Sequence, residues 1–102
     1  MSASVADLQR FISEAEELAS RGRRRFNDDH MLKLAALAII TRVGEAANRI
    51  PEAERARYPL VPWRSIVAMR NRLVHDDDMI DYDLVWEVIV RHLPEIGAAL
   101  AV

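Results

Sequence analysis

The chain has 102 residues, no cysteine and a formal net charge of −2. This length indicates a single domain, residues 1–102, with one hydrophobic core. The lack of cysteine excludes a disulfide framework and a zinc site built from thiolates. The acidic balance argues against a protein that coats nucleic acid by bulk electrostatics, but it leaves room for a nuclease with a local basic cleft.

The sequence contains no segment typical of a secretory signal peptide or of a membrane span. The N-terminal segment MSASVADLQR carries charge where a secretory signal peptide needs an apolar run. The longest apolar stretch, Leu34 to Ile40, is too short to span a bilayer. We therefore expect a cytoplasmic protein without a membrane segment.

Helical periodicity dominates the chain from its start. Ser4 has the character of an N-cap, and Asp7 follows three residues later, as in a capping box. An apolar stripe at helical spacing follows: Val5, Leu8, Ile12, Ala15 and Ala19. Gly22 is expected to end this first helix, with the basic run 21–25 at its C-terminal end.

The second predicted helix begins after Asn27 and runs to about Arg49, where Pro51 stops it. Its segment LKLAALAII is apolar on nearly every side, so we expect burial on more than one face. The polar stretch PEAERARYP that follows is a connector with room for one short helix.

A further helix opens at Pro62, and the last one starts with Asp81 as its N-cap. Pro94 falls inside the apolar pattern of the last helix and is expected to kink or split it. Four main helices with short connections predict an all-α fold, an antiparallel up-and-down bundle of four to five helices.

The segment RNRLVHDDD, residues 70–78, concentrates more reactive polar groups than any other part of the chain. On a helical wheel Arg70 falls in the middle of the apolar stripe of its helix. Asn71 and His75 share a neighbouring face, and Arg72 points to solvent. An unpaired charge on an apolar stripe is unfavourable, so Arg70 needs a partner or a hydrated cleft.

Three interpretations of this segment remain open on the residues alone. Asp76 to Asp78 fit a solvated turn before the next helix. His75 with a carboxylate would suit a metal, but adjacent aspartates bind hard cations only in a purpose-built loop, and the EF-hand spacing is absent. We therefore assign no metal ligand. In the third interpretation, Arg70, Asn71 and His75 form a catalytic group.

Glu45 is a second isolated charge, on a largely apolar face of the second predicted helix. One contact between Glu45 and Arg70, within a protomer or across a dimer, would satisfy both charges. We expect this pair to be buried and to hold Arg70 toward a cleft. The alternative pairs Glu45 with Arg42 or Arg49 on its own helix.

Other residues with possible roles carry weaker signals. Arg23 to Arg25 fit a solvated basic patch, with contact to RNA or a partner protein as the alternative. His30 and His92 have no partner at catalytic or ligand spacing. Trp63 and Trp86 lie on helical stripes and are expected in the core or an interface.

Four segments together resemble one known family: FNDD, VGEAANRIP, PW-x-x-I-x-x-MRNRLVH and ID-x-x-x-VW-x-x-I-x-x-x-LP. In order and spacing they are similar to the HepT-like proteins. These are small toxins of the HEPN superfamily, encoded beside minimal nucleotidyltransferase (MNT) antitoxins. The similarity runs from Phe26 to Ile96.

The resemblance implies a HEPN-like helical bundle that forms a homodimer, with the R-x4-H motifs of two protomers in one shared cleft. It also implies metal-independent cleavage of RNA, no cofactor, and an MNT-type nucleotidyltransferase as partner. The family motif falls on Arg70, Asn71 and His75, and Glu45 keeps the supporting role that its predicted contact with Arg70 gives it.

Those residue types suit the chemistry. Without a metal, the ribose 2′-hydroxyl is the nucleophile, and a histidine such as His75 can take its proton. The guanidinium of Arg70 can stabilise charge on the phosphorane, and Asn71 can position the phosphate or ribose.

The chain departs from the family pattern R-N-x-x-x-H-x-Y at one position, where Asp77 replaces the tyrosine. In the family that tyrosine accepts AMP from the antitoxin, and this chain cannot be modified there. Two hypotheses follow. The protein is a ribonuclease toxin that acts as a dimer, or it is a catalytically weak helical interaction module that binds a nucleotidyltransferase-like partner.

Overall fold

A computed structural model describes residues 4–75 and 80–101. These ranges form helices and no strand: α1 Val5–Ala19, α2 Arg23–Asp28, α3 His30–Arg49, α4 Glu52–Arg55, α5 Trp63–His75, α6 Tyr82–Glu87, a π-helical segment Val88–His92, and α7 Leu93–Leu100. The predicted all-α class is confirmed. The aspartates 76–78, which include Asp77, lie outside the described residues.

The predicted capping box at the start of α1 is present. Ser4 Oγ accepts a hydrogen bond from the Asp7 amide at 3.2 Å, and the Ser4 amide donates to the Asp7 carboxylate at 3.1 Å. The bond from the Ser4 amide stabilises the charged carboxylate and is the main reason that the pKa of Asp7 lies below its ordinary value. The amides of Ser4 and Asp7 at the start of α1 therefore both have hydrogen-bond acceptors.

α1 ends slightly before Gly22, the residue that was predicted to terminate it. The helix stops at Ala19, and Gly22 has a φ of 89°, a conformation that favours glycine. This turn redirects the chain, so that Arg23 to Arg25 open the short helix α2 instead of ending α1.

The aromatic side chain of Phe26 packs α2 into the core of the protein. Phe26 is only 1% exposed, and its ring lies 5.0 Å from the ring of Trp86, which is also buried. The expectation of a core position is thus confirmed for Trp86. This contact fixes α2 against α6.

α3 is the central helix and packs against α1, α2, α5 and α6. Asp29 is its N-cap and accepts from the amides of Met31 and Leu32 at 2.9 and 3.4 Å. The helix therefore begins two residues later than predicted, and it ends at Arg49 as expected. One broad side is buried: Ala36, Ile39, Ile40, Val43, Gly44, Ala46 and Ala47.

The opposite side of α3 corrects the prediction made for LKLAALAII. Within the chain this segment is not covered on every apolar face: Leu34 is 44% exposed, and Ala35 and Ala38 are exposed as well. The neighbouring helices cover only the broad buried side, and an apolar strip remains on the surface.

The connector between α3 and α5 contains the short helix that was expected, α4. The indole of Trp63 donates to the carbonyl oxygens of Arg55 and Tyr58, both at 3.2 Å. These bonds fix the start of α5 beside the C-terminal end of α3. From there α5 runs back along α3 and buries Ile66 and Leu73.

Pro94 splits the last helix, as predicted. Asp81 caps α6 and accepts from the amides of Asp83 and Leu84. The following segment has π-helical geometry, and the Leu93 amide bonds to the Val88 carbonyl five residues earlier. The wider turn accommodates Pro94, which has no amide hydrogen, in the first turn of α7.

Among the described residues, no helix is both long enough and apolar enough to cross a membrane.

Candidate active site

The site is built where α5 lies directly on α3 at Gly44. A Cβ atom added to Gly44 would lie 2.6 Å from Arg70 Cγ and closer still to Arg70 Cβ. The aliphatic stem of Arg70 therefore occupies the space that any side chain at position 44 would fill. Sequence reasoning missed Gly44, although a glycine inside a strong helical pattern is a signal of close packing.

Two neighbours hold the guanidinium group of Arg70. Its Nη1 donates to Asn71 Oδ1 at 2.9 Å, and its Nη2 lies 3.6 Å from Glu45 Oε1. Its Nε is buried and has no hydrogen-bond partner among the residues that the structure describes. The head group is thus held from two directions, while its buried Nε–H is left without an acceptor among the described residues.

The predicted contact between Glu45 and Arg70 is present within a single chain. Among the described residues, neither Arg42 nor Arg49 forms an ion pair with Glu45. The predicted burial of the pair is wrong, because the side chains of Arg70 and Glu45 are 32% and 44% exposed. Glu45 lies at the edge of the exposed side of α3, so the charged ends meet where water and an anion can reach them.

The contact between Asn71 and Arg70 assigns the orientation of the amide. A guanidinium has only donors, so the oxygen of Asn71 must face Arg70 and its NH2 group must face away. Asn71 therefore positions Arg70 and keeps two donors for another acceptor.

His75 is the last residue of α5. Asn71 lies four residues before it, so the Cα atoms of the two share one side of the helix, about 6 Å apart along its axis. The third residue of the sequence motif therefore belongs to the helix that carries the other two. Asp77, the remaining site residue from the sequence, is outside the described residues.

The two other histidines lie away from this arrangement. His30 is exposed at the start of α3, and His92 is half-buried in the π-helical segment. Within residues 4–75 and 80–101, no group of three His, Cys, Asp or Glu side chains could hold a metal ion. The aspartate triplet of the metal interpretation is not part of these ranges.

A groove of about 400 Å³ lies on another flank of α5, between α5 and α7. Ile66, Met69 and Leu73 line one wall, and His92 and Ile96 belong to the other. On the α5 wheel this flank is turned away from Asn71 and His75. The groove is therefore separate from the Arg70 site.

Residues 8–102 match the family described as "Ribonuclease HepT-like". A "Putative RNase" of Caldanaerobacter subterraneus subsp. tengcongensis is 30% identical over 93 residues, which cover 87% of this chain and 83% of that protein. The "Probable ribonuclease HepT" of Thermococcus cleftensis is 29% identical over 101 residues, 94% of this chain and 92% of the relative.

Some other relatives are matched over less than two thirds of their own length. A "Putative RNase" of Methanocaldococcus jannaschii is 34% identical over 71 residues, which cover 70% of this chain but 61% of that protein. No solved structure matches the chain.

Replacing Gly44 with alanine should lower the free energy of unfolding by about 1–3 kcal/mol, the usual effect of overpacking a filled contact. The new methyl group must displace the stem of Arg70. Denaturant unfolding measures the change. Gly97→Ala is the matched control, because Gly97 is also helical and its added Cβ would lie 3.2 Å from one methyl group of Ile12. Equal losses in the two variants would contradict a special role for Gly44.

Glu45→Gln should change the free energy of unfolding by at most about 1 kcal/mol, because the ion pair is half-exposed. Glu87→Gln is the control, since it breaks the exposed pair of Glu87 with Arg91 at 2.7 Å. The two variants should unfold at similar denaturant concentrations. A loss of about 3–5 kcal/mol for Glu45→Gln alone would show a deeply buried pair instead.

Proposed function

The chain belongs to the HepT-like ribonuclease family, and from this premise we propose that it is a metal-independent endoribonuclease that acts as a toxin. The observation that carries the proposal is the guanidinium of Arg70, held by Glu45 and Asn71 and still partly open to solvent. A fixed cation at an accessible position is what binding and cleavage of a phosphodiester require.

The proposed reaction uses the RNA itself as nucleophile. His75 takes the proton of a ribose 2′-hydroxyl, and the 2′-oxygen attacks the adjacent phosphorus. The bond from phosphorus to the 5′-oxygen breaks, the leaving oxygen takes up a proton, and a 2′,3′-cyclic phosphate remains. Histidine suits the first step because it exchanges protons near neutral pH.

Arg70 stabilises the negative charge that develops on the phosphorane oxygens. Because each Nη atom has two hydrogens and one described contact, with Asn71 or Glu45, the phosphate can accept from the remaining hydrogens or displace one of these contacts. The Glu45 contact is the longer one at 3.6 Å and is half-exposed, so it gives way more easily than the bond of 2.9 Å to Asn71. Asn71 then acts as a positioning residue and can offer its NH2 group to the phosphate.

We also propose that the protein is a homodimer that uses an α3 apolar patch, defined as Met31, Leu34, Ala35 and Ala38. All four are exposed, and they share one side of α3. Glu45 follows Ala38 by two helical turns on that side, about 10 Å along the axis. A second copy on the patch would therefore approach the Arg70 site and allow a cleft shared by two motifs.

The proposed partner in the cell is an MNT-type nucleotidyltransferase antitoxin. Because Asp77 stands where the family has its AMP-accepting tyrosine, silencing by modification is not available at that position. We propose that a partner of this type controls the protein by forming a complex that covers the site.

One observation favours a second candidate function, a catalytically weak helical module that binds such a nucleotidyltransferase. Three consecutive aspartates follow His75, and the chain has a net charge of −2. Both features repel an RNA backbone. Cleavage of RNA by the purified protein separates the two candidates.

Arg70→Ala and His75→Ala should each lower the rate of RNA cleavage by about 100-fold or more, the usual contribution of a positioned acid–base or charge-stabilising group. Circular dichroism should show that both variants keep the helical fold. Arg72→Ala is the matched control, because Arg72 is exposed on another side of the same helix. Chelators should leave the rate unchanged. Loss of cleavage in EDTA would contradict the metal-independent reaction, and a wild type without cleavage would favour the interaction module.

Leu34→Glu should convert the dimer to a monomer at micromolar concentration, because it places a charge in the α3 apolar patch. Sedimentation velocity measures the change. Leu60→Glu is the control, since Leu60 is 65% exposed but lies in the connector before α5. A monomeric wild type, or a dimer that survives Leu34→Glu, would contradict the proposed interface.

A further inference from the structure

Basic residues are unusually dense where α1 passes into α2. Arginine occupies four of the five positions 21–25, in a chain with 14 basic residues and a net charge of −2. Three of these side chains line one shallow surface concavity, and we call them the arginine patch: Arg21, Arg24 and Arg25. All three are exposed.

The fourth arginine, Arg23, has a structural role. It forms an ion pair with Asp83, its Nε donates to Asn27 Oδ1 at 3.4 Å, and its guanidinium lies 6.0 Å from the ring centre of Trp86. These contacts join α2 to the start of α6. Arg23 therefore holds the segment that presents its neighbours.

Few carboxylates neutralise the positive charge of the arginine patch. Arg21 lies at 4.0 Å from Glu17, and both side chains are exposed. Among the described residues, Arg24 and Arg25 have no carboxylate within ion-pair distance. Exposed guanidinium groups on a fixed helix can each make two hydrogen bonds to a phosphate.

Two carboxylates line the same concavity and oppose an anion. Asp29 is occupied as the cap of α3, where it accepts from the amides of Met31 and Leu32. Asp28 is exposed and has no ion-pair partner among the described residues. Asp28 is therefore the side chain that most directly weakens the attraction of the patch for phosphate.

The position of the patch suits RNA that extends beyond the cleaved bond. His30, the first residue of α3, lies beside the arginine patch, and Gly44, farther along α3, is the residue that Arg70 of α5 contacts. The separation of 14 positions between them corresponds to about 21 Å along α3. This distance is about six base steps at 3.4 Å each, so one strand can contact both places.

We propose that the arginine patch binds the phosphate backbone of the RNA substrate several nucleotides away from the bond that is cleaved. The proposal rests on the proposed ribonuclease function and adds a binding surface to it. The contact is electrostatic and independent of sequence, because guanidinium groups that bind phosphates do not read bases.

The test compares RNA binding by two double variants, each made in a His75→Ala background so that the RNA stays intact. Arg24→Gln with Arg25→Gln removes the two unpaired members of the patch. Arg57→Gln with Arg64→Gln is the matched control, because both residues are exposed and follow the C-terminal end of α3. Each double variant changes the net charge of the chain by the same amount.

Fluorescence anisotropy with a labelled single-stranded oligoribonucleotide gives the affinity as a function of salt. Loss of two phosphate contacts should reduce the slope of log K against log salt by about 1.4, at about 0.7 per contact on a single strand. Between about 50 and 200 mM salt, the protein with an intact patch should then lose about sevenfold more affinity than the patch variant. The control variant should keep the full slope, and Asp28→Asn should strengthen binding at low salt.

Equal slopes for the patch variant and the control would overturn the proposal, even if both bind RNA. This outcome is separate from failure of the proposed function, which is tested by cleavage with the wild-type protein. If the wild type cleaves RNA and the two slopes agree, the ribonuclease stands and the patch does not bind RNA. A slope that falls only in the patch variant supports the proposal.

Discussion

The approach of α5 to α3 at Gly44 is the contact on which the site depends. Where helices pack through side chains on both partners, their axes lie about 8–10 Å apart. At Gly44 one partner contributes only backbone, so the stem of Arg70 fills the contact. A charged residue thereby takes a packing position, and its methylene groups bury apolar surface while its head group reaches the edge. The same contact explains why an arginine on the apolar stripe of α5 is tolerated.

Glu45 and Gly44 are neighbours in sequence and serve the same arginine in different ways. Gly44 makes room for the stem of Arg70, and Glu45 contacts the head group. A fully buried pair would hold the guanidinium more firmly, but it would also keep a phosphate away from it. The half-exposed pair limits the motion of Arg70 at a small cost in stability and leaves the cation available to an anion.

The local sequence was sufficient to predict the longer helices α1, α3 and α5, the last helix and the caps at Ser4 and Asp81, but not the short helix α2 or the cap at Asp29. Ser4 with Asp7, Asp81 and Pro94 all act within one or two helical turns, and the structure has them as predicted. The π-helical geometry before Pro94 was not predictable, because it depends on how the last helix packs. Gly22 was expected to end α1, but the arginines after it were placed at the end of that helix, because a run of arginines does not signal that the turn at Gly22 begins a new one.

Only the part of the site that follows from pairing isolated charges was predictable from the sequence. Two isolated charges on apolar stripes indicated the contact between Glu45 and Arg70. Their exposure could not be derived, since it depends on the lateral position of α5 on α3, which Gly44 sets. On the other side of α3, the exposure of Leu34, Ala35 and Ala38 was likewise not derivable from the sequence. Their exposure shows that a segment with apolar residues on nearly every side can be covered by its own chain on only one side. The uncovered apolar residues lie about two helical turns before Glu45, which is the only charged side chain that pairs with Arg70 among the described residues. An interface there and the chemistry at Arg70 would therefore share one helix, so that association of two copies and the geometry of the site would be physically linked.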